Sequence, residues 1–304
     1  MSQEILITGG TGLIGKDSTE HLSKLGFTVR HLSRKNNTEN RIFWNPDKGI
    51  LNKEYLKNKK SILHLAGENI GSGRWTKKKK KRISESRIQT TQLLFQKLQE
   101  LSPKERPESF ISASAVGFYG SREDELLTEE SVAGTGFLSK TVIDWEHEAK
   151  KISELGIRTV ILRFGMVLSP NGGALDKMIP PIRFFLGSAL GSGKQYISWI
   201  HIHDLSRIIA AAVQKNEIKG IYNAVSPDTV TNLQMIQVLA QCLNRPVILP
   251  PVPSFLLKIL LGDMSEIVLD GQMVSSEKIQ KEGFEFTYPS LEKALKNILL
   301  NGKK

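Results

Sequence analysis

Residues 4–15 read EILITGGTGLIG, a short apolar run followed by a glycine-rich turn. The turn contains the pattern G-x-G-x-x-G at Gly10, Gly12 and Gly15, and from Thr8 it also fits T-G-x-x-G-x-x-G. Glycines at this spacing permit a tight turn, a close approach of the backbone to a pyrophosphate, and close packing of the following helix. The helix N-terminus then favours an anion. The turn therefore predicts a dinucleotide site that includes Gly9, Thr11, Gly12, Leu13, Ile14 and Gly15.

The second apolar run, residues 27–32, is followed by Ser33 and Arg34. Proteins that bind NAD usually place Asp or Glu there, because a carboxylate holds the ribose hydroxyls. An arginine can instead hold a 2′-phosphate through paired N–H donors. Ser33 can add a hydroxyl. This stretch therefore favours NADP(H) over NAD.

Strand and helix patterns alternate through the first half of the chain. Apolar runs at 4–7, 27–32, 61–65, 109–114 and 158–164 are separated by helical patterns at 13–25, 76–101 and 142–155. Such alternation is typical of a parallel sheet covered on both faces. We predict an α/β fold, with a Rossmann-like doubly wound parallel sheet in residues 1–165. A smaller C-terminal substrate lobe is predicted for residues 166–304, with interleaved contributions and C-terminal helices at about 250–304.

Composition restricts the location and the partners of the protein. The 304 residues include one cysteine, Cys242, and no stretch approaches the ~18 apolar residues of a membrane span. These features predict a cytoplasmic protein with no membrane partner. The formal net charge is +11, and residues 77–82 read KKKKKR. Trp75 is the sole nearby aromatic, so the basic run favours a solvated helix face over a nucleic-acid site.

Further segments carry a family resemblance. They read LAGENI (65–70), RW (74–75), SR (86–87), SASAVGFYG (112–120), LRFG (162–165), WIHIHD (199–204) and GFEFTYP (283–289). Together with the turn at 8–15, they resemble the extended short-chain dehydrogenase/reductase group, and more closely the YfcH-like epimerase family. The resemblance extends over essentially the whole chain.

This resemblance implies a Rossmann-like domain with a lobe of the type that binds sugar nucleotides. It also implies that Ser33, Arg34, Ala66 and Arg87 lie along an NADP(H) molecule, with Leu65 and Gly67 beside Ala66. Arg82 and Arg87 would lie on a helix that faces the adenosine end.

The catalytic residues of the wider group are only partly present. Its members use a serine and a Tyr-x-x-x-Lys pair. Ser114, at the end of its strand, fits the serine, and Ser112 is the second choice. Residues 136–146 should carry the tyrosine but contain none. Tyr119 is the first candidate for a substitute acid, and Lys140, Glu129 and Glu130 are weaker ones.

Four other polar positions have less specific interpretations. His201 and His203 lack further ligands in the sequence, so we expect no metal site. Asp204 is expected to be the N-cap of a helix over 205–214. Arg163 could contact a substrate phosphate or pair with a buried carboxylate.

Two functions fit these features. The first is an epimerase or oxidoreductase that uses NADP(H) on an unidentified small or nucleotide-linked substrate. The alternative is a non-catalytic NADPH-binding regulator, for example in cell division or redox sensing, since the Tyr-x-x-x-Lys pair is missing. The chain is expected to be a monomer or a homodimer.

Overall fold

A computed structural model describes residues 3–35 and 40–301. The strands are β1 (Glu4–Thr8), β2 (Thr28–Ser33), β3 (Arg41–Phe43), β4 (Ser61–His64), β5 (Ser109–Ala115), β6 (Leu126–Leu127), β7 (Arg158–Phe164), β8 (Met166–Ser169), β9 (Gly172–Gly173), β10 (Tyr196–Ile197), β11 (Trp199–His201), β12 (Gly220–Ala224), β13 (Val230–Thr231) and β14 (Met273–Val274). The helices are α1 (Leu13–Lys24), α2 (Lys77–Gln99), α3 (Phe137–Glu154), α4 (Leu175–Arg183), α5 (Ile202–Gln214), α6 (Asn232–Cys242), α7 (Ser254–Leu261), α8 (Glu266–Leu269), α9 (Glu277–Lys281) and α10 (Leu291–Asn301).

The central sheet has seven parallel strands in the order β12-β7-β5-β4-β1-β2-β3. This confirms the predicted Rossmann-like doubly wound fold. The strand order reverses between β1 and β4, and Thr8 pairs with His64 at the carboxyl ends of these two strands. Chains that leave neighbouring strands in opposite directions open a crevice there, which is where ligands bind in such sheets.

Helices cover both faces of this sheet. Ile5 and Ile7 point to one face and pack in the core that includes α1 and α5, whereas Leu6 points to the other face. That second face lies under α2 and α3, whose Leu94 and Ile152 are fully buried. Successive side chains of a strand alternate in this way, so the central strands are buried on both faces.

Elements beyond residue 165 contribute to both parts of the molecule. Strand β12 joins the edge of the central sheet, and α5 packs against α1. The other strands beyond residue 165, together with β6, form three small sheets, β11-β8-β9, β10-β13 and β14-β6. A separate hydrophobic core forms around Trp199, Met235 and Leu295. The domain division at residue 165 stays a prediction. In the described ranges, no helix is long and apolar enough to cross a bilayer.

The structure corrects two local predictions. Helix α3 begins at Phe137 rather than near Val142, immediately after Gly136, whose φ of 96° ends the preceding turn. Asp204 is not an N-cap, because α5 begins at Ile202 and His201 caps it through its side chain. The carboxylate of Asp204 instead accepts hydrogen bonds from the backbone N–H groups of Thr287 and Tyr288, at 2.9 and 2.8 Å.

Candidate functional site

The turn after β1 is packed so tightly that two of its glycines admit no side chain. Gly9 has a φ of 68°, and a Cβ there would lie 2.7 Å from the carbonyl oxygen of Leu65. A Cβ on Gly15 would lie 2.4 Å from the carbonyl oxygen of Gly9. Only glycine tolerates such a conformation and such contacts. The start of α1 is therefore held directly against the turn.

Gly12 has a different environment. It is the N-cap of α1, its backbone is extended, and it has no side chain to accept hydrogen bonds from the first helical turn. A Cβ there would meet only the carbonyl oxygen of Gly9, at 3.3 Å. The first turn of α1 contains no acidic residue. The N–H groups and the positive end of the helix dipole are thus available to an anion, and these residues fit the diphosphate of a dinucleotide.

The buried side chain of His64 helps to hold the segment after β4 beside the glycine-rich turn. The hydroxyl of Thr8 accepts hydrogen bonds from the backbone N–H groups of Leu65 and Ala66, at 3.0 and 3.1 Å. The same hydroxyl lies 2.7 Å from Nδ1 of His64, and Nε2 of His64 lies 3.0 Å from the hydroxyl of Thr91. His64 has no exposed surface. Burial lowers the pKa of His64 to about 3, so the ring is neutral at physiological pH.

The hydrogen bonds around His64 select one tautomer. Because Thr8 accepts from two backbone amides, its own hydrogen is free to donate to Nδ1. The hydroxyl of Thr91 donates to the carbonyl oxygen of Arg87 at 2.7 Å, so it accepts from Nε2. His64 therefore carries its hydrogen on Nε2 and connects the turn at 65–66 to α2. Sequence reasoning missed this residue, although it ends a buried strand beside the point where the strand order reverses.

The segment after β4 is closed on one side by Arg87. A Cβ on Gly67 would lie 3.0 Å from Cζ of Arg87, whose guanidinium donates to the carbonyl oxygens of Glu68 and Ile83 at 3.1 and 2.9 Å. Burial lowers the pKa of Arg87 to about 10, which leaves it cationic at neutral pH. The structure thus brings Leu65, Ala66, Gly67 and Arg87 together beside the glycine-rich turn.

Arg82 is placed less favourably for a cofactor. Its guanidinium donates to Oε1 of Glu68 at 3.0 Å, and Lys79 donates to the same oxygen at 2.6 Å. The hydrogen bond from Lys79 is the main reason that the pKa of Glu68 is lowered. More than half of the Arg82 side chain remains exposed. Its contact with the adenosine end stays a prediction.

Ser33 and Arg34 lie at the carboxyl end of β2, next to β1. Arg34 is exposed, and the Ser33 hydroxyl accepts the backbone N–H of Lys35 at 3.1 Å. A solvated guanidinium at this edge is free to reach a phosphate. The following residues 36–39 lie outside the described chain.

Ser114 lies in a buried network of polar side chains. Its hydroxyl donates to Oε1 of Glu146 at 2.6 Å. Arg163 also donates to both carboxylate oxygens of Glu146, at 2.8 and 2.9 Å, and both of these residues are almost fully buried. Arg163 therefore pairs with a carboxylate, one of the two roles left open by the sequence. The partner was not identifiable beforehand, because α3 supplies Glu146 and β7 supplies Arg163.

Tyr119 belongs to the same network. Nη1 of Arg163 donates to the Tyr119 hydroxyl at 2.9 Å, and this hydroxyl donates to Oδ1 of Asn223 at 2.7 Å. Tyr119 has no exposed surface. Burial raises its pKa, so the hydroxyl stays protonated at neutral pH, whereas the neighbouring Arg163 cation opposes that rise. Its catalytic role stays a prediction.

Of the weaker acid candidates, Lys140 and Glu130 are exposed, whereas Glu129 is half-buried. Nζ of Lys140 lies 3.4 Å from Asp144 and is largely exposed. Glu129 accepts the backbone N–H of Asn223 at 2.7 Å, and Glu130 is exposed. The second-choice serine, Ser112, donates to the carbonyl oxygen of Ala113 inside the sheet.

The histidines near β11 have structural partners. Nδ1 of His201 accepts the backbone N–H of His203 at 3.1 Å, and the His201 ring stacks on Tyr288 with a centroid separation of 4.0 Å. Burial lowers the pKa of His201 to about 4. Among the described residues, no group of three or more acidic, cysteine or histidine side chains could hold a metal ion.

Segment 69–80 connects this edge of the sheet to the C-terminal elements. The guanidinium of Arg74 donates to the carbonyl oxygens of Ile259 and Leu260, at 2.6 and 2.9 Å, at the end of α7. Lys177 on α4 donates to the carbonyl oxygen of Gly71. These bonds hold the smaller elements beside the dinucleotide crevice, as a substrate lobe requires.

Comparison with known proteins gives the same picture. Residues 5–224 match the model of the NAD dependent epimerase/dehydratase family, and residues 252–298 match a domain of unknown function, DUF1731. The chain is 38% identical to the epimerase family protein YfhF of Bacillus subtilis, over 98% of this chain and 99% of that protein. It is 36% identical to the chloroplastic SDR39U1 homolog of Arabidopsis thaliana, over 97% of this chain and 86% of that protein.

A solved structure agrees as well. The crystal structure of the human epimerase family protein SDR39U1, isoform 2, with NADPH superimposes with a TM-score of 0.89 at 32% identity, covering 98% of this chain and 99% of that one. The glycine-rich turn, the strand order and these matches agree, and the chain therefore belongs to the NAD dependent epimerase/dehydratase family.

Proposed function

We propose that this protein is an NADP(H)-dependent epimerase or oxidoreductase that acts on a small or nucleotide-linked substrate. The observation that carries the proposal is the turn at residues 9–15, where Gly9 and Gly15 exclude any side chain and Gly12 leaves the amides of α1 uncapped. The human relative solved with NADPH supports the choice of cofactor. The proposal includes a cytoplasmic location, consistent with the single cysteine of the chain.

Each part of the crevice has a role in this proposal. The amides of α1 bind the diphosphate, Arg34 and Ser33 bind the 2′-phosphate, and the segment 65–67 lies along the cofactor. Thr8 and His64 hold that segment in place through the backbone N–H groups of Leu65 and Ala66. When bound, the nicotinamide supplies a hydride donor or acceptor.

Ser114 is the proposed group that polarises the substrate oxygen. Its hydrogen now points to Glu146, so this role requires the hydroxyl to turn toward the substrate. Tyr119 is the proposed acid, and it must exchange its bond to Asn223 for one to the substrate. Burial raises its pKa, which keeps the hydroxyl protonated but makes it a weaker acid, so the role also depends on the Arg163 cation, which lowers that pKa.

The alternative function, a non-catalytic NADPH-binding regulator, is not favoured. No contact in the described chain is specific to it, whereas the family match covers both the sheet and the crevice. A substrate test separates the two functions. Nucleotide sugars are incubated with NADP+ and small carbonyl compounds with NADPH, and absorbance of the nicotinamide and the products' stereochemistry by NMR are both followed. Turnover that Ser114→Ala abolishes supports the enzyme, and its absence on every substrate supports the regulator.

Titration calorimetry tests the cofactor. Arg34→Ala should weaken NADPH binding by roughly tenfold or more and leave NADH binding unchanged, because only NADPH has the phosphate that the guanidinium binds. Lys35→Ala, which removes the next charge along the chain, is the matched control. Equal losses for both dinucleotides would contradict the assignment of Arg34.

A further inference from the structure

The C-terminal elements expose an unusually large set of apolar side chains. Helix α7 buries Leu257 alone and exposes Phe255 and Ile259, one turn apart, to 62% and 66%. Single exposed apolar residues are common, but contiguous ones mark an interaction surface. We call the four exposed apolar side chains of α7 the apolar patch: Phe255, Leu256, Ile259 and Leu260.

Two further segments with exposed apolar side chains adjoin each other before the start of α7. The hydroxyl of Ser188 donates to the carbonyl oxygen of Pro250, which ties the segment after α4 to the segment before α7. Leu190 pairs with Val252 in an isolated β-bridge. The guanidinium of Arg245 lies 4.9 Å from the ring centroid of Phe185. The segment after α4 and the segment before α7, which expose Phe184, Leu186 and Ile248, thus lie beside each other.

Basic side chains border the apolar patch. Arg74 bonds to the last carbonyls of α7, and Lys80 pairs with Asp263 just beyond that helix, at 2.6 Å. The start of α2 thus lies beside the end of α7. Lys77 is one helical turn before Lys80, so both lie on the same side of α2.

Several of these charges have no acidic partner. Of the residues that the structure describes, no carboxylate lies within ion-pair distance of Lys77, Lys78 or Lys258, and all three are exposed. Lys81 is 73% exposed and only distantly paired with Glu85, at 3.7 Å. Neither the fold nor the cofactor site uses this part of the basic run.

We propose that the apolar patch and the lysines beside it dock on the surface of an anionic lipid bilayer. Phenylalanine and aliphatic side chains on such a surface enter the boundary between headgroups and acyl chains, and lysines around them contact anionic headgroups. A second copy of the chain fits less well, because a symmetric contact of this patch with itself brings two basic borders together. The proposal amends the expectation of no membrane partner.

Vesicle sedimentation of the full-length protein tests this proposal. Protein is mixed with phosphatidylcholine vesicles, with and without phosphatidylglycerol, at low and high salt. We expect binding to the anionic vesicles that salt weakens. Neutralising Lys77, Lys78 and Lys81 with glutamine should reduce the affinity roughly a hundredfold, since each lysine near an anionic surface contributes about a fivefold factor. Phe255→Ser with Ile259→Ser should reduce it by about tenfold or more.

Matched controls change the same residue types elsewhere. Lys24, Lys140 and Lys281, all largely exposed, are replaced by glutamine, and Val132, 71% exposed, is replaced by serine. These variants should bind vesicles like the parent protein. NADPH binding and circular dichroism check that every variant is folded.

Three outcomes would overturn the proposal. One is no sedimentation with anionic vesicles, and another is equal binding by the patch variants and the controls. The third is a homodimer in light scattering that Phe255→Ser with Ile259→Ser dissociates, because a second copy would then cover the patch.

Discussion

The dinucleotide crevice and the region around Ser114 lie at the same edge of one sheet but are built differently. In the crevice, Gly9, Gly12 and Gly15 present backbone without side chains. The Thr8 and His64 side chains that support the crevice are neutral. Around Ser114, charged side chains fill the space and satisfy one another, with Arg163 bonded to Glu146 and Tyr119. One region leaves its hydrogen-bond donors available to a ligand, whereas the other uses them internally.

This difference indicates where function and stability are located. Bare amides at a helix N-terminus add little to the folded state but bind an anion well. A buried ion pair is costly to break, because removing one partner leaves the other charge in the interior. Blocking the free amides of the crevice should therefore affect mainly binding, and removing one member of the buried ion pair should affect mainly folding.

The largest effect is expected at Glu146. Glu146→Ala leaves Arg163 buried without a counter-charge, so the free energy of unfolding should fall by about 3–5 kcal/mol. Urea denaturation measures it. The control is Asp144→Ala on the same helix, where the side chain is 41% exposed. It should change the free energy of unfolding by no more than ~0.5 kcal/mol. Replacing Glu146 and Arg163 together with methionine should restore most of the loss. A loss below ~1 kcal/mol for Glu146→Ala would show that the network does not stabilise the fold.

Gly15 and Gly12, two glycines of the same turn, should respond differently to replacement by alanine. Gly15→Ala places a methyl group 2.4 Å from the carbonyl oxygen of Gly9, so it should lower the free energy of unfolding by about 1–3 kcal/mol. Gly12→Ala should leave stability nearly unchanged, since its φ of −73° suits alanine, but should weaken NADPH binding by about tenfold or more. Thermal denaturation and calorimetry measure the two quantities. Unchanged NADPH affinity in Gly12→Ala would place the diphosphate elsewhere.

An effect confined to the acid range, and absent at neutral pH, should come from His64. Its pKa is about 3 in the folded protein and near 6.5 when unfolded, so the unfolded chain binds the extra proton first. The stability that neutral His64 provides is complete above pH 6.5 and is lost as the pH falls toward about 3, with a slope of about 1.4 kcal/mol per pH unit.

Urea denaturation between about pH 7 and pH 4 measures this slope, because the unfolded chain takes up the proton on His64 in that range. His64→Gln should flatten it by about one proton relative to the parent. His147→Gln, at an exposed position on α3, is the control and should leave the slope unchanged. Identical slopes for His64→Gln and the parent would mean that His64 is not neutral and buried.

Much of the fold followed from local patterns. The strand at 4–8 and the helix from Leu13 were predictable, because the apolar run, the glycines and the helical pattern are contiguous. The strand at Arg158–Phe164 was predicted with its correct bounds. Asp204 was misplaced for the opposite reason. A helix-capping pattern involves only near neighbours in the chain. The carboxylate of Asp204, however, accepts hydrogen bonds from the backbone of Thr287 and Tyr288, which are more than 80 residues away.

The structure brings the predicted cofactor-side residues together, and their contact with a cofactor stays a prediction. Leu65, Ala66, Gly67 and Arg87 do lie beside the turn. For Ser114 and Tyr119, sequence patterns named the residues but not their partners. Glu146 and Asn223 meet them only because α3 and β12 pack around β5 and β7.

A dozen consecutive residues, 4–15, were sufficient to specify a dinucleotide-binding turn, since backbone conformation and helix initiation depend on near neighbours in the chain. Packing alone settled that Arg163 pairs with Glu146, that His64 is neutral, and that α7 has an uncovered apolar face. Burial and electrostatic environment depend on which distant segments come into contact, and no short stretch of chain contains that information.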